Sequence, residues 1–377
     1  MALHGLVDLA LRDAAIAEIA ERARTGRRDP LDIAAAGPLT PAIVAAIAAG
    51  RAGNRPVVVV TATGREAEDL GAALRSLLPP DDIADFPAWE TLPHERLSPS
   101  SDVVGRRLAV LRRLAHPDAE DAAAGEVRVL VTPVRSLLQP IVSGLGELVP
   151  LVLNDGDEIE LQAAVTHLVN AGYQRTDLVE KRGQLAVRGG ILDVFPPTEE
   201  HPVRVEFWGD IVEEVRWFKV ADQRSLEVAP HGLYAPPCRE LLLTDVVRGR
   251  ARTLLAAHPE LADVLDRVAE GIYVEGVEAF APVLADGMEL LVDVVPANSI
   301  VVVADAERVR TRAHDLVATS EEFLAASWSA AGVGGKAPID LGAAAYRAVG
   351  DVRLHATGRG LAWWGICLLY TSDAADE

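Results

Sequence analysis

Two linked segments decide the reading of this chain. They are Val187-Arg-Gly-Gly-Ile-Leu-Asp-Val-Phe-Pro-Pro197 and Val203-Arg-Val-Glu-Phe-Trp-Gly-Asp-Ile-Val-Glu-Glu-Val-Arg-Trp-Phe218. They read as two or three consecutive β-strands. Successive side chains of a strand point to opposite faces. Val203, Val205 and Phe207 therefore make a core face, and Arg204, Glu206 and Trp208 point the other way. A tryptophan on the polar face needs a second packed layer or a partner. Arg188, on the neighbouring strand, belongs to the same region, and Arg and Trp are the residue types that most often anchor protein interfaces. Pairing Trp208 with Ile211 across Gly209-Asp210 would set Val205 against Glu214 and Arg204 against Val215. A bulge near Glu213-Glu214, or a longer loop, would repair that register. The competing reading packs Arg204 and Trp208 beneath the helix predicted over 157–171.

Outward from this stretch, the flanks have a different texture. Pro56-Val-Val-Val-Val-Thr-Ala-Thr-Gly64 is an unbroken apolar strand, as in a parallel sheet covered on both faces. The helix predicted over 66–78, short strands at 83–86 and 127–131, and a helix opening at 136–138 continue a β-α-β alternation. Another apolar strand, 299–304, leads into a long amphipathic helix from Ala306 to about Ser327. Helices are also predicted over 1–25, 38–49 and 259–270, and one more strand begins at 352–355. The expected fold class is α/β: a degenerate helicase-like doubly wound parallel sheet with a small inserted α+β domain. The expected domains are 1–150, the inserted unit 151–230, and 231–364 returning to the first. The last residues, 365–377, change character abruptly and read as a foreign tail on a truncated frame, outside the fold.

The totals bound the function. A formal charge of −20 on 377 residues repels a phosphate backbone overall. Two distant cysteines, Cys238 and Cys367, no signal pattern and no membrane-length apolar run suit a reducing cytoplasm. Arg106, Arg107, Arg112 and Arg113 surround the apolar stripe of one helix and read as a solvated face. A phosphate loop needs Gly-x-x-x-x-Gly-Lys-Ser/Thr between strand and helix. Gly332-Val-Gly-Gly-Lys336 lacks the first glycine and the hydroxyl, and Thr61-Ala-Thr-Gly-Arg65 has arginine for lysine. No histidine pair has metal-ligand spacing, and no Gly-x-Ser-x-Gly elbow occurs. His94 beside Glu95 reads as a surface contact. Asp193, inside an apolar run, reads as a buried carboxylate paired with Arg188 or Arg204. No cofactor or metal is expected, and the site is expected to bind and not to catalyse.

A family resemblance rests on Phe86-Pro-Ala-Trp-Glu-Thr-Leu-Pro-His-Glu-Arg-Leu-Ser-Pro99, Ala171-Gly-Tyr173, Val187–Pro196, Val205-Glu-Phe-Trp-Gly-Asp210 and Asp222-Gln-Arg-Ser-Leu226. In that order they resemble the N-terminal module of the bacterial transcription-repair coupling factors (Mfd) over about residues 1–364. The module is similar to the excision-repair protein UvrB. That protein's phosphate loop is absent here, since Ala-Ala-Ala-Gly-Pro-Leu-Thr occupies the corresponding place. The resemblance implies a non-enzymatic module of an ATP-driven DNA translocase whose motor lies downstream. It implies binding of UvrA, which recruits nucleotide excision repair to stalled RNA polymerase, and a part in autoinhibition through contacts with downstream domains. Damaged DNA and RNA polymerase would be met through the full-length parent only. It places the UvrA contacts at Arg188, Arg204 and Trp208, where tryptophan replaces a phenylalanine of the family. The alternative is a nucleotide-dependent repair enzyme of UvrB type with ATP-binding activity.

Overall fold

The computed structural model describes residues 5–51, 55–92, 97–118, 125–330 and 345–368, with the side chains of 324–330 left aside. The look-alike loop at Gly332–Lys336 and the pair His94-Glu95 lie outside the described residues.

The apolar runs assemble into a six-stranded, wholly parallel sheet. Its order is Leu31–Ala35, Ala362–Leu368, Ile300–Ala304, Val57–Thr61, Val129–Pro133, Ile83–Asp85. Helices cover both faces, and alternate residues of each strand feed opposite cores. Val58, Val60, Leu130, Val301 and Val303 pack with Val104, Leu108, Leu111 and Val352. Val57, Val59, Val131, Ile300 and Val302 pack with Ile43, Ile47, Leu70 and Leu74 on the other side. The doubly wound layer is as the sequence leads one to expect.

Several details differ. The single helix expected over 1–25 is two, Gly5–Ala10 and Ala14–Arg24, because Asp13 ends the first run and caps the second through the amides of Ala15 and Ile16. The strand expected from Val352 is a helix, Val349–Gly358. The strand Leu31–Ala35 had no clear sequence signal. Its neighbour Ala362–Leu368 runs into the stretch set aside as a tail. Trp364 and Ile366 are fully buried there, and Trp364 Nε1 donates to the Asp29 carbonyl at 3.2 Å. Gly365 to Leu368 therefore belong to the sheet, and residues 369–377 lie outside the described residues. Residues 241–285 build a helical core of their own around Leu265, Val268, Val277 and Leu284.

The inserted unit is closed at its root. Leu151–Leu153 on the way in pairs antiparallel with Leu233–Ala235 on the way out. Between them lies a second six-stranded sheet, ordered Ser225–Val228, Ile211–Phe218, Val203–Trp208, Ile191–Val194, Gln184–Arg188, Gln174–Arg175. One face holds the helix Leu161–Asn170 over Leu185, Leu192, Val194, Val203, Val205, Val212 and Val215. At the root, Cys238 sits fully buried against Tyr173, and burial pushes its thiol up to about 12. A thiolate is the reactive form. A thiol reagent at pH 8 should therefore titrate exposed Cys367 in the native chain and reach Cys238 only in denaturant.

The unit is fastened to the larger sheet by buried charge. Arg107 was expected on a solvated face but is fully buried. Its Nε donates to Glu240 Oε1 at 2.5 Å, its Nη2 to Oε2 at 3.4 Å and its Nη1 to the Pro87 carbonyl at 2.9 Å. Its guanidinium lies 4.2 Å from the Phe86 ring centroid, and Trp89 Nε1 donates to the same Glu240 oxygen at 2.9 Å. Nearby, a Cβ on Gly105 would stand 2.4 Å from Pro197 Cβ, so the helix Ser101–Ala115 admits the insert only at a glycine. Breaking one half of a buried pair strands the other charge. Arg107→Leu should cost roughly 3–5 kcal/mol in urea unfolding, and Arg107→Leu with Glu240→Leu should recover most of it.

Candidate functional site

The candidate site lies on the face of the inserted sheet opposite its helix. The hairpin register follows from one extra residue. Trp208 pairs with Ile211 and Phe207 with Val212, and then Glu206 pairs with Glu214, Val205 with Val215 and Arg204 with Arg216. Glu213 is the bulged residue, the first of the two repairs considered from sequence. The two-residue turn Gly209-Asp210 places Gly209 at φ +64°, where only glycine sits without strain. The tip is pinned by backbone bonds, Ile159 N to Asp210 O at 2.8 Å and Val212 N to Asp157 O at 2.9 Å. Asp157 thus serves the hairpin. The helix behind it begins only at Leu161, with no side-chain cap.

Direct cross-strand partners share a face. Arg188 pairs with Ile191 and Ile191 with Glu206, while Ala186 pairs with Asp193 and Asp193 with Arg204. The polar face therefore carries Arg188, Asp193, Arg204, Glu206 and Trp208 together. Asp193 is almost fully buried and accepts from both arginines. Arg188 Nη2 lies 2.6 Å from Oδ2; Arg204 Nε lies 2.7 Å from Oδ1 and its Nη2 2.9 Å from Oδ2. The reading of Asp193 as a paired buried carboxylate holds with both partners at once. Two guanidiniums share one carboxylate, which leaves one positive charge uncompensated within that triad. The hydrogen bonds that Arg204 donates to Asp193 hold its guanidinium above its ordinary pKa.

The expected site residues are not equivalent. Trp208 is 77% exposed, so it does not pack beneath the helix. The Arg188 side chain is 47% exposed. Arg204 is only 11% exposed. It stacks 4.7 Å over the Phe218 ring and also donates to the Gln223 carbonyl and Ser225 Oγ, both at 3.2 Å. The competing packing role thus describes Arg204 in part, with Phe218 as its floor and not the helix. Ile211, 49% exposed beside Trp208, was not singled out from sequence. Its only signal was the turn that makes it Trp208's cross-strand partner.

Neither strand-to-helix turn nearest to a phosphate loop in sequence offers one. After Val57–Thr61, Thr63 Oγ1 accepts from the Glu66 amide and Glu66 Oε2 from the Thr63 amide. A carboxylate therefore sits at the helix N-terminus, where a phosphate would need open amides. After Leu31–Ala35 the turn Gly37–Leu39 carries no basic residue and exposes Leu39. Among the described residues no group of three or more His, Cys, Asp or Glu could hold a metal ion. No described helix is long and apolar enough to cross a membrane.

Residues 151–236 match the family model of the UvrB interaction domain. The chain is 49% identical, over 99% of its length, to the transcription-repair-coupling factor of Mycobacterium tuberculosis. It is 29% identical to that of Escherichia coli over 69% of its length, and 26% identical to that of Bacillus subtilis over 72%. The chain spans about a third of the length of the first of these, 31%, and less of the others. The resemblance read from the motifs is borne out: the chain is similar to transcription-repair-coupling factors and carries a UvrB interaction domain.

Proposed function

We propose that this chain is the UvrA-binding module of a transcription-repair coupling factor, and that the polar face of the inserted sheet is its docking surface. On this reading it recruits excision repair to a stalled RNA polymerase and takes part in autoinhibition of a downstream DNA translocase. On this reading the chain binds a protein partner, and neither binds nor hydrolyses ATP. The observation that carries the reading is Trp208. A large aromatic side chain stands 77% exposed on a rigid, backbone-pinned hairpin, within the segment matched by the UvrB interaction domain. An indole held so far out of its own fold is suited to a pocket on a partner. Arg188, half-exposed on the same face, supplies the directional polar contact.

The reading is tested with purified UvrA and the isolated chain by calorimetry. Wild type should bind, and Trp208→Ala should lose about 2 kcal/mol or more of binding. Its urea midpoint should not move, because the side chain contributes little to the core. No binding by the wild-type chain would refute the proposal.

The alternative reading, a nucleotide-dependent repair enzyme, is opposed by the self-capped turn at Thr63-Glu66 and the uncharged turn at Gly37–Leu39. Equilibrium dialysis with labelled ATP should give no saturable binding at micromolar concentrations.

A further inference from the structure

A sheet leaves a row of unpaired amides and carbonyls along each outer strand, and folded chains blunt such edges with charge, shortness or cover. Among the described residues the two six-stranded sheets have four outer strands, and three are blunted. Ile83–Asp85 has three residues, with Asp85 paired to Arg75 and Arg113 and Arg128 held against Asp81 and Asp82 beside it. Gln174–Arg175 has two residues. Ser225–Val228 has four, with Glu227 inside it and Arg224 before it. The fourth, Leu31–Ala35, is the longest of them, and Asp32 is its one charge. It pairs with Ala362–Leu368 on one side, and among the described residues no other hydrogen bond reaches its backbone.

A groove of about 630 Å³ runs beside this open edge. All five residues of the strand line it, with Leu6 and Leu9 of the first helix, Ile16 and Ile19 of the second, and Leu39 of the turn. Leu6, Leu9 and Leu39 are each roughly half exposed. Bare leucines over an unpaired edge invite a strand. Resting on the reading of this chain as one part of a longer factor, and not on its docking face, we infer that the groove seats an extended segment of the same polypeptide. That segment comes from the chain that continues past Leu368 in the longer relatives, and it adds a seventh strand beside Leu31–Ala35.

Three observations select this occupant. The chain spans 31% of the length of its mycobacterial relative, so a long continuation exists there to supply it. The exit is close. Leu368 pairs with Ala35, and its Cδ1 lies 3.8 Å from where a Cβ on Gly37 would stand. The chain therefore leaves the sheet one strand from the groove, about 5 Å away. Reaching across takes about 10 Å, or three to four extended residues, for an antiparallel return. Charge is the third. Arg22 and Glu18 pair with each other at 3.0 Å and Asp13 caps its own helix, so the lining offers little to steer a separate partner. A tethered segment needs no steering, because its effective concentration is already in the millimolar range. The strand's alternation sets the segment's chemistry. Ile33 and Ala35 are buried in the cluster that holds Val7, with Ile19 packed against it, while Asp32 and Ala34 are exposed. The added strand places apolar side chains beside the first pair and polar ones beside the second.

Hydrogen exchange tests the seat in two molecules, this chain and the full-length Mycobacterium tuberculosis factor. About half of an edge strand's amides point away from its ladder. In this chain those of Leu31–Ala35 should exchange freely. In the full-length factor the matching amides should exchange about tenfold more slowly or slower still, while the strand matching Val57–Thr61 behaves alike in both. Leu9→Asp, placed at the matching position of the full-length factor, should restore fast exchange at the edge and leave the central strand unchanged. Leu9 is 57% exposed, so the fold does not rest on it. A photo-cross-linker at that position should join the edge to a downstream segment of the same molecule. Equal exchange at the edge in both molecules would overturn the inference. So would a cross-link that lands on a second copy or on nothing. Protection of the edge that rises with the concentration of this chain alone would make a second copy the occupant, and would overturn the choice of segment. Binding of UvrA is measured separately, and its failure would leave these results standing.

Discussion

The Arg107–Glu240 pair is the contact on which the arrangement of this molecule turns. It joins a helix of the large sheet to the chain just leaving the inserted unit, and both side chains are buried. A guanidinium and a carboxylate out of solvent cost several kcal/mol each to desolvate. That cost is offset only because every strong donor finds an acceptor: Glu240 twice, the Pro87 carbonyl once, with Phe86 and Trp89 as walls. Such a pair tolerates little displacement. The irregular Phe86–Trp89 segment, the helix Ser101–Ala115 and the exit from the insert must meet in one geometry. Gly105 against Pro197 enforces the same placement by shape.

With the root held by buried charge, the outer face of the insert is free to be polar. The two faces of its sheet show the contrast. One buries a row of valines and leucines under a helix, and its stability comes from area removed from water. The other has only a small cluster, Val179, Ala186, Phe195 and Phe218, and is otherwise covered by arginines and acids that satisfy one another. Burial of Asp193 on that face is the price of ordering Arg188 and Arg204 in advance. The order survives because two guanidiniums surround one carboxylate.

Local patterns in the sequence reported local structure well. Strict alternation over Val203–Trp208 sorted the two faces, and the clash in the Gly209-Asp210 register called for either a bulge near Glu213-Glu214 or a longer loop, of which the hairpin has the bulge. Asp193 within an apolar run pointed to an internal ion pair. Unbroken valine runs marked the doubly wound sheet. What the sequence hid was long-range. Nothing near Arg107 says that its partner is Glu240, so an arginine beside an apolar stripe read as solvated. Leu31–Ala35 and Ala362–Leu368 were missed for a related reason. The first is short and alanine-rich, and each is recognisable as a strand chiefly through the other, more than three hundred residues away. Ile211 escaped because its exposure depends on a pairing that periodicity alone left open.

That pairing of distant strands has a consequence for the order in which the molecule matures. The strand Ala362–Leu368 lies between Leu31–Ala35 and Ile300–Ala304, so the large sheet is incomplete until nearly the last described residue has been synthesised. The inserted sheet is different. Its ladders join strands close in sequence, and its root closes at Ala235. At about 5–20 residues per second of synthesis, the gap between the two events is on the order of 10 s. Contacts local in sequence form far faster than that. The growing polypeptide therefore completes the face that carries Arg188 and Trp208 while the platform beneath it is still waiting for its penultimate strand in space.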